Sequence, residues 1–278
     1  MTLDKDMITE PRMWQLVMEP GSAALSVMAF SPMEHHSIIA ADIPYPPDAE
    51  PASAFRDAVY DNPLLLNDFL QTTVLLPTRR FMLLPDIMTD SEAVRALFRR
   101  SFPAAGDGRP SELLTEDLPS LRAKLVFETD AGLLGFLRRT FNNPRITSPL
   151  VPLALYFRGK HPNRPRGKMI ANLCADRVDI VILGDDAPLV VNTFDIRDPM
   201  DAVYYIMACR EAHSLRPTDE IILAGDTVCR RAVTPPLRRF IRYVMPAIFP
   251  SMMTRGGQAS LSIPFEMIVT PIAFPKVH

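Results

Sequence analysis

A mixed α/β fold made of two copies of a βββαβα unit is the architecture this sequence predicts, and three observations carry that prediction. Two stretches, one near Trp14 and one near Met169, open alike: strand, tight turn, second strand, third strand, helix. In the second stretch, from Met169 to Ile196, two runs of alternating apolar residues flank Gly184, Asp185 and Asp186, a composition suited to a hairpin turn. The chain's 278 residues, 47% of them hydrophobic, are enough for two lobes with cores that need neither disulfide nor metal.

In the first copy, Trp14 to Met18, Leu25 to Phe30 and Ser37 to Ile43 read as a three-strand meander turning at Glu19, Pro20, Gly21 and Ser22. Pro51 to Asn62 predicts a helix burying Ala54, Phe55, Ala58 and Val59. Thr72 to Leu76 and Phe81 to Leu84 are strand-length apolar runs, closed by Pro77 and Pro85. Thr89, Asp90, Ser91 and Glu92 have capping-box spacing before a helix that places Val94, Leu97, Phe98 and Ser101 on one face. Pro103 to Ser111 reads as a surface loop. A strand at Lys124 to Thr129 leads into a helix from Asp130 to Phe141 with an apolar stripe of Leu133, Leu134, Leu137 and Phe141. A short strand at Ile146 to Pro149 and a short helix at Val151 to Arg158 follow. The polar segment Gly159 to Gly167 is the expected lobe boundary, giving lobes 1–160 and 161–278.

The second copy has strands at Met169 to Leu173, Val178 to Leu183 and Leu189 to Ile196. A helix from Pro199 to about His213 follows, with Asp198 as N-cap and Met200, Val203, Tyr204 and Met207 on one face. Glu220 to Ala224 reads as a buried strand ended by Gly225. Leu237, Phe240, Ile241, Val244, Met245 and Ile248 predict one further helix, with Arg238, Arg239 and Arg242 opposite. Ser260 to Val269 reads as a closing strand.

This order of elements, with the segment FDIRDPMDAVYYIMACREAH followed by EIILAG between Phe194 and Gly225, resembles the duplicated ribonuclease-H-like architecture of the actin, hexokinase and Hsp70 superfamily. The second half resembles pilus-assembly and cell-division actin-like proteins. The whole chain is similar to an uncharacterised bacterial family with an actin-like ATPase fold, over Trp14 to Phe249. The resemblance implies two lobes across a central cleft that holds ATP with Mg2+, each first hairpin presenting an Asp near a glycine. Superposed on that pattern, Met18 stands where Asp is expected, followed by Glu19, Pro20, Gly21 and Ser22, and Pro20 lacks an amide donor. In the second copy Asn172 stands at the Asp position and Cys174 at a glycine position, with Asp176 the nearest carboxylate. The adenosine loop keeps one glycine, Gly225, followed by Asp226 and Thr227. Glu19, Gly21, Ser22, Asn172, Asp176, Gly225, Asp226 and Thr227 are therefore the candidate cleft residues. None is expected to be catalytic, and no resident metal is expected.

Composition narrows the alternatives. A net charge of −2 argues against a general electrostatic hold on nucleic acid or anionic lipid. The local basic loop of Arg158, Lys160, His161, Arg164, Arg166 and Lys168 has no interleaved aromatics for stacking bases. Cys174, Cys209 and Cys229 lack CxxC spacing and are expected as reduced thiols, which suits the cytoplasm. The acidic, mixed start is unlike a secretory signal, and no apolar run is long enough to span a bilayer. His35 and His36 point to opposite strand faces and cannot share a metal, while Asp185 and Asp186 read as turn residues. No Walker loop, GxGxxG, HExxH or nucleophile elbow occurs. Three readings remain open: a non-catalytic actin-like scaffold or adaptor holding a protein partner, an ATP-binding switch with weak or no hydrolysis, and an RNA-associated factor.

Overall fold

The computed structural model describes residues 3, 7–32, 38–103, 109–160, 168–184, 188–254 and 263–275. His35, His36, Asp185, Asp186 and most of the expected lobe boundary lie outside them. Two five-stranded sheets repeat one topology. In the first, β1 (Gln15–Pro20), β2 (Ala24–Phe30) and β3 (Ile38–Pro44) form an antiparallel meander. β4 (Gln71–Leu75) then runs parallel to β1, and β8 (Arg145–Thr147) parallel to β4. In the second, β9 (Lys168–Leu173), β10 (Arg177–Leu183) and β11 (Pro188–Asp195) form the meander, with β12 (Glu220–Gly225) parallel to β9 and β13 (Val244–Pro246) parallel to β12.

Helices take matching places. α1 (Pro51–Tyr60) connects β3 to β4, and α5 (Pro199–Ala212) connects β11 to β12. α3 (Ala131–Thr140) precedes β8 as α6 (Thr227–Arg238) precedes β13. The first copy carries an insertion between β4 and α3: β5 (Phe81–Pro85), α2 (Ser91–Ser101), β6 (Ser111–Leu118) and β7 (Ala123–Asp130), whose strands form a separate sheet ordered β5-β7-β6. β6 falls where the sequence signal is weak, because its three leucines are spread among exposed or half-buried polar residues. α2 starts at Asp90, which accepts from the amides of Glu92 and Ala93, so the N-cap is Asp90 and not Thr89. Val94 and Phe98 are buried on this insertion, whereas Leu97 is exposed.

Alternate residues of each central strand serve different cores. Leu16 and Met18 of β1 face α1 and α3, and Met169, Ala171 and Leu173 of β9 face α5 and α6. The opposite faces, represented by Val17, Ile170 and Val181, join α4 (Leu150–Lys160) and α8 (Phe265–Ala273) in one central core. A short α7 (Ser251–Thr254) precedes α8.

Three sequence expectations are corrected. The apolar set from Leu237 to Ile248 is not one helix: α6 ends at Arg238, Ile241 lies in the irregular connection that follows it and Val244 in β13. Leu237, Ile241 and Val244 are all buried, so helix-like spacing arose from a helix, a connecting segment and a strand each contributing one inward residue. Phe240, Met245 and Ile248 are exposed instead. Ser260 to Val269 is not a strand, since its described part from Phe265 onward is α8, buried continuously from Phe265 to Pro271. A segment buried on all sides has no period to read. In α5 the buried face is Ala202, Val203, Ile206 and Arg210, leaving Met200 and Tyr204 outside. Among the described residues no helix is long and apolar enough to cross a membrane.

Candidate functional site

Two hairpins meet at the cleft. In the first, the amide of Gly21 donates to the carbonyl of Ala24 (2.8 Å), leaving Ser22 and Ala23 as the turn. In the second, the amide of Cys174 donates to the carbonyl of Arg177 (2.9 Å), leaving Ala175 and Asp176. The turns are therefore equivalent, and strand pairing carries the match backwards: Glu19 pairs with Ser26 as Asn172 pairs with Asp179. This corrects the expected superposition by one residue. Glu19, not Met18, is the counterpart of Asn172. A one-residue slip reverses the face on which a strand side chain lies, and Met18 is fully buried in the outer core.

The third wall comes from the β12–α6 junction. Gly225 adopts φ +83°, and a Cβ there would stand 2.1 Å from the carbonyl oxygen of Leu173. Only glycine lets this loop fold against β9, where the Asp226 amide donates to the Leu173 carbonyl (2.7 Å). The Asp226 side chain caps α6 by accepting from the Cys229 amide (2.7 Å), and Thr227 Oγ1 accepts from Arg230 (2.9 Å).

Of the eight candidate residues, Glu19, Gly21, Ser22, Asp176, Gly225, Asp226 and Thr227 line one cavity of about 640 Å³. Asn172 does not line it. It lies beneath, fully buried, with its amide nitrogen 3.0 Å from Glu266 Oε2, 3.4 Å from Asp179 Oδ2 and 3.7 Å from Cys174 Sγ.

The floor is an ion cluster. Arg177 Nη2 donates to Glu19 Oε1 at 2.7 Å and to Glu266 Oε1 at 3.4 Å, and Arg177 Nε donates to Asp179 Oδ2 at 3.3 Å. All four side chains are buried, so one guanidinium faces three carboxyl groups away from water. Thr193 Oγ1 adds a bond to Asp179 at 2.8 Å. Burial, reinforced by the charge on Glu266, pushes the Glu19 carboxyl well above the usual range, and burial likewise raises Glu266. Burial alone would lower Arg177, but the charges of Asp179 and its neighbours hold it above its ordinary value. Two buried acceptors, Glu19 Oε2 and Asn172 Oδ1, have no hydrogen-bond partner among the described residues. A proton on Glu19 removes the cost of holding an unpartnered negative charge at the first of these.

Arg177, Asp179 and Glu266 were missed in the sequence. A faint signal exists for two of them: Asp179 interrupts an otherwise apolar strand, and Glu266 stands alone in the apolar run PFEMIVTPIAF.

The implied Mg2+ and nucleotide can be tested against this lining. Cys174, Asp179 and Glu266 offer ligand atoms within 4.8 Å of one another. The Asn172 amide nitrogen already contacts all three, Arg177 bonds two of them, and burial raises the Cys174 thiol well above its usual value, favouring the protonated form that does not ligate metals. The cavity wall carries Glu19, Asp42, Asp176, Asp226 and Glu266 against Arg177 alone. The amides of Gly21, Cys174 and Asp226 are engaged within the protein, and Pro20 has none. These residues do not fit a magnesium-bound polyphosphate.

The sequence profile of a protein family of unknown function, DUF3822, matches residues 6–244. A Bacteroides thetaiotaomicron protein described as having an actin-like ATPase fold and unknown function superposes with TM-score 0.78 at 17% identity, over 95% of this chain and 99% of that one. A chain of the PilM–PilN type IV pilus biogenesis complex superposes with TM-score 0.59 at 16% identity, over 95% and 98%. At these identities the likeness establishes the actin-like fold. No curated protein matches the chain in sequence.

Proposed function

The chain belongs to the DUF3822 family, and on that premise we propose that it is a non-catalytic actin-like scaffold that holds a protein partner without using nucleotide. The observation that carries this reading is Arg177. Its guanidinium, from the second sheet, sits 2.7 Å from Glu19 of the first, so the two halves satisfy each other where the fold family places a metal and phosphates. Hydrolysis needs phosphate charge neutralised and a water oriented, and a wall of carboxylates opposes the first requirement. The lobes 1–160 and 161–278 are the two parts of the scaffold in this proposal. A cytoplasmic setting belongs to it as well and suits the free thiols of Cys174, Cys209 and Cys229. The PilM–PilN complex provides an example of this fold bound to a second protein.

One observation favours a second reading, an ATP-binding switch with weak or no hydrolysis: seven of the eight candidate residues do share a cavity between the sheets. Calorimetry and thermal shift with millimolar ATP and Mg2+ separate the two. The scaffold reading expects no heat and no shift. A saturable heat would replace it with the switch, and magnesium-dependent turnover abolished by Glu19→Gln or Asp226→Asn would overturn it outright.

A further inference from the structure

The exposed stripe of α5 forms one side of a second open groove, of about 560 Å³, on the outer side of the second sheet. Tyr204, Met207, Leu215, Pro217 and Phe240 supply its apolar lining, with Arg210 and Glu211 the charged residues among its walls. Tyr204 is 67% exposed and Phe240 68%, and Met200, one helical turn before Tyr204, is 54% exposed. Side chains four apart lie on one helix face, so Met200 and Tyr204 extend the groove along α5. Large apolar groups gathered on one face, while Ala202, Val203 and Ile206 fill the core, mark an interaction surface rather than scattered exposure.

The charge beside this groove specifies the occupant. The chain as a whole carries −2, yet residues 227–248 contain Arg230, Arg231, Arg238, Arg239 and Arg242 and no acidic residue. Arg239 adjoins Phe240, and Arg242 stacks on Tyr243 at 5.3 Å. Arg231, Arg239 and Arg242 are exposed and form no ion pair among the described residues. Although β13 is an edge strand, it is poorly suited to accept an added strand: Pro246 has no N–H, and the Val244 carbonyl accepts from Arg238. Recognition here proceeds through side chains.

We propose that this groove docks an acidic, amphipathic segment of a partner protein, with aliphatic residues against Tyr204 and Phe240 and carboxylates on Arg239 and Arg242. Arginine beside exposed aromatics is the composition that concentrates binding energy at interfaces, and opposite charge adds specificity and a faster encounter. The proposal deepens the scaffold reading by naming a surface and a partner chemistry, and it rests on that reading only in taking the chain to act by holding a protein.

The test uses the full chain and fluorescence anisotropy with a labelled helical peptide bearing Leu at i, i+4 and i+7 and Glu elsewhere, alongside versions with Gln for Glu, Lys for Glu and Ser for Leu. The Glu/Leu peptide is expected to bind at least about tenfold more tightly than each of the others, with affinity falling as salt rises. Tyr204→Ser and Phe240→Ser should each weaken it about tenfold with unchanged melting temperature, and the double variant Arg239→Glu, Arg242→Glu should erase the preference for Glu over Gln. Equal binding of all four peptides, or binding of none, would overturn the proposal. So would sedimentation showing a dimer that Phe240→Ser converts to monomer, since the occupant would then be a second copy. Absence of ATP binding leaves this outcome unaffected, so failure of the surface and failure of the scaffold reading are separately visible.

Discussion

The hairpins β1–β2 and β9–β10 share a turn length, a register and a place in their sheets, yet they bring opposite chemistry to the cleft. Position for position, Glu19 answers Asn172, Ala24 answers Arg177, and Ser26 answers Asp179. The first contributes a carboxylate and no cation, whereas the second contributes the guanidinium and two carboxylates, Asp176 and Asp179. Backbone pairing depends on hydrogen bonds that any residue makes, so the duplicated scaffold survives divergence at these positions. The side chains have been free to become complementary, and Arg177 of the second hairpin now pairs with Glu19 of the first.

Removing Arg177 breaks that complementarity most severely. Arg177→Met leaves Glu19, Asp179 and Glu266 buried without a counter-ion and should cost about 3–5 kcal/mol in urea unfolding. The equivalent change in the first hairpin, Ala24→Met, should cost far less, and equal losses would show that Arg177 is merely filling space.

The charges at the paired positions 19 and 172 give the next effect. Folded Glu19 holds its proton more tightly than the unfolded chain, where a Glu titrates at about 4.3. Its stabilising share is therefore complete below that pH and is lost as pH rises through the higher folded value. Glu19→Gln removes this decline, so the variant should gain on the wild type from pH 4.5 to pH 8. Asn172→Asp adds a fourth buried carboxyl and deletes the amide donor to Glu266, which should cost about 3 kcal/mol at pH 8 and less at pH 4.5. Parallel pH profiles for wild type and Glu19→Gln would contradict the assignment of a raised Glu19.

Glycines at the cleft sharpen the same contrast. Gly225→Ala must accommodate both φ +83° and a Cβ 2.1 Å from the Leu173 carbonyl, a loss of about 2–3 kcal/mol by thermal or urea unfolding. Gly21→Ala places its Cβ 3.0 Å from the Ala24 carbonyl at an ordinary φ and should cost under about 1 kcal/mol. The smallest difference concerns the helices after each meander. Asp198→Ala dismantles a capping box on α5, for about 1 kcal/mol, while Glu50→Ala removes the bond accepted from the Ser53 amide of α1 and an exposed ion pair with Arg109 that contributes little, for about half of that. Circular dichroism melts of the two variants check the order.

Legibility followed the physics of each segment. Ala54, Phe55, Ala58 and Val59 announced the inner face of α1 because the opposite face is polar, and Asp198 followed by Pro199 announced the start of α5. The inner face of α5 was not legible, since Met200, Tyr204 and Met207 match helical spacing as well as Ala202, Val203 and Ile206 do. Seven of the candidate cleft residues implied by the superfamily resemblance do line the cavity, but the register at Glu19 depended on which backbone groups pair. Arg177 and Glu19 are 158 positions apart, and Glu266 reaches them from a helix that reads as a strand. Neither contact leaves a periodic trace.

Local patterns by themselves determined the two three-strand meanders, the helix that follows each, and the Asp198 cap of α5, because each of these depends on neighbours within a few positions. Tertiary structure alone decided which apolar stripe of α5 faces inward, that Phe265–Ala273 is a helix sealing the central core, and that one guanidinium answers three buried carboxyl groups from three elements. The reason is that burial and charge pairing are settled by proximity in space, and the chain brings those groups together only after both sheets have formed and met.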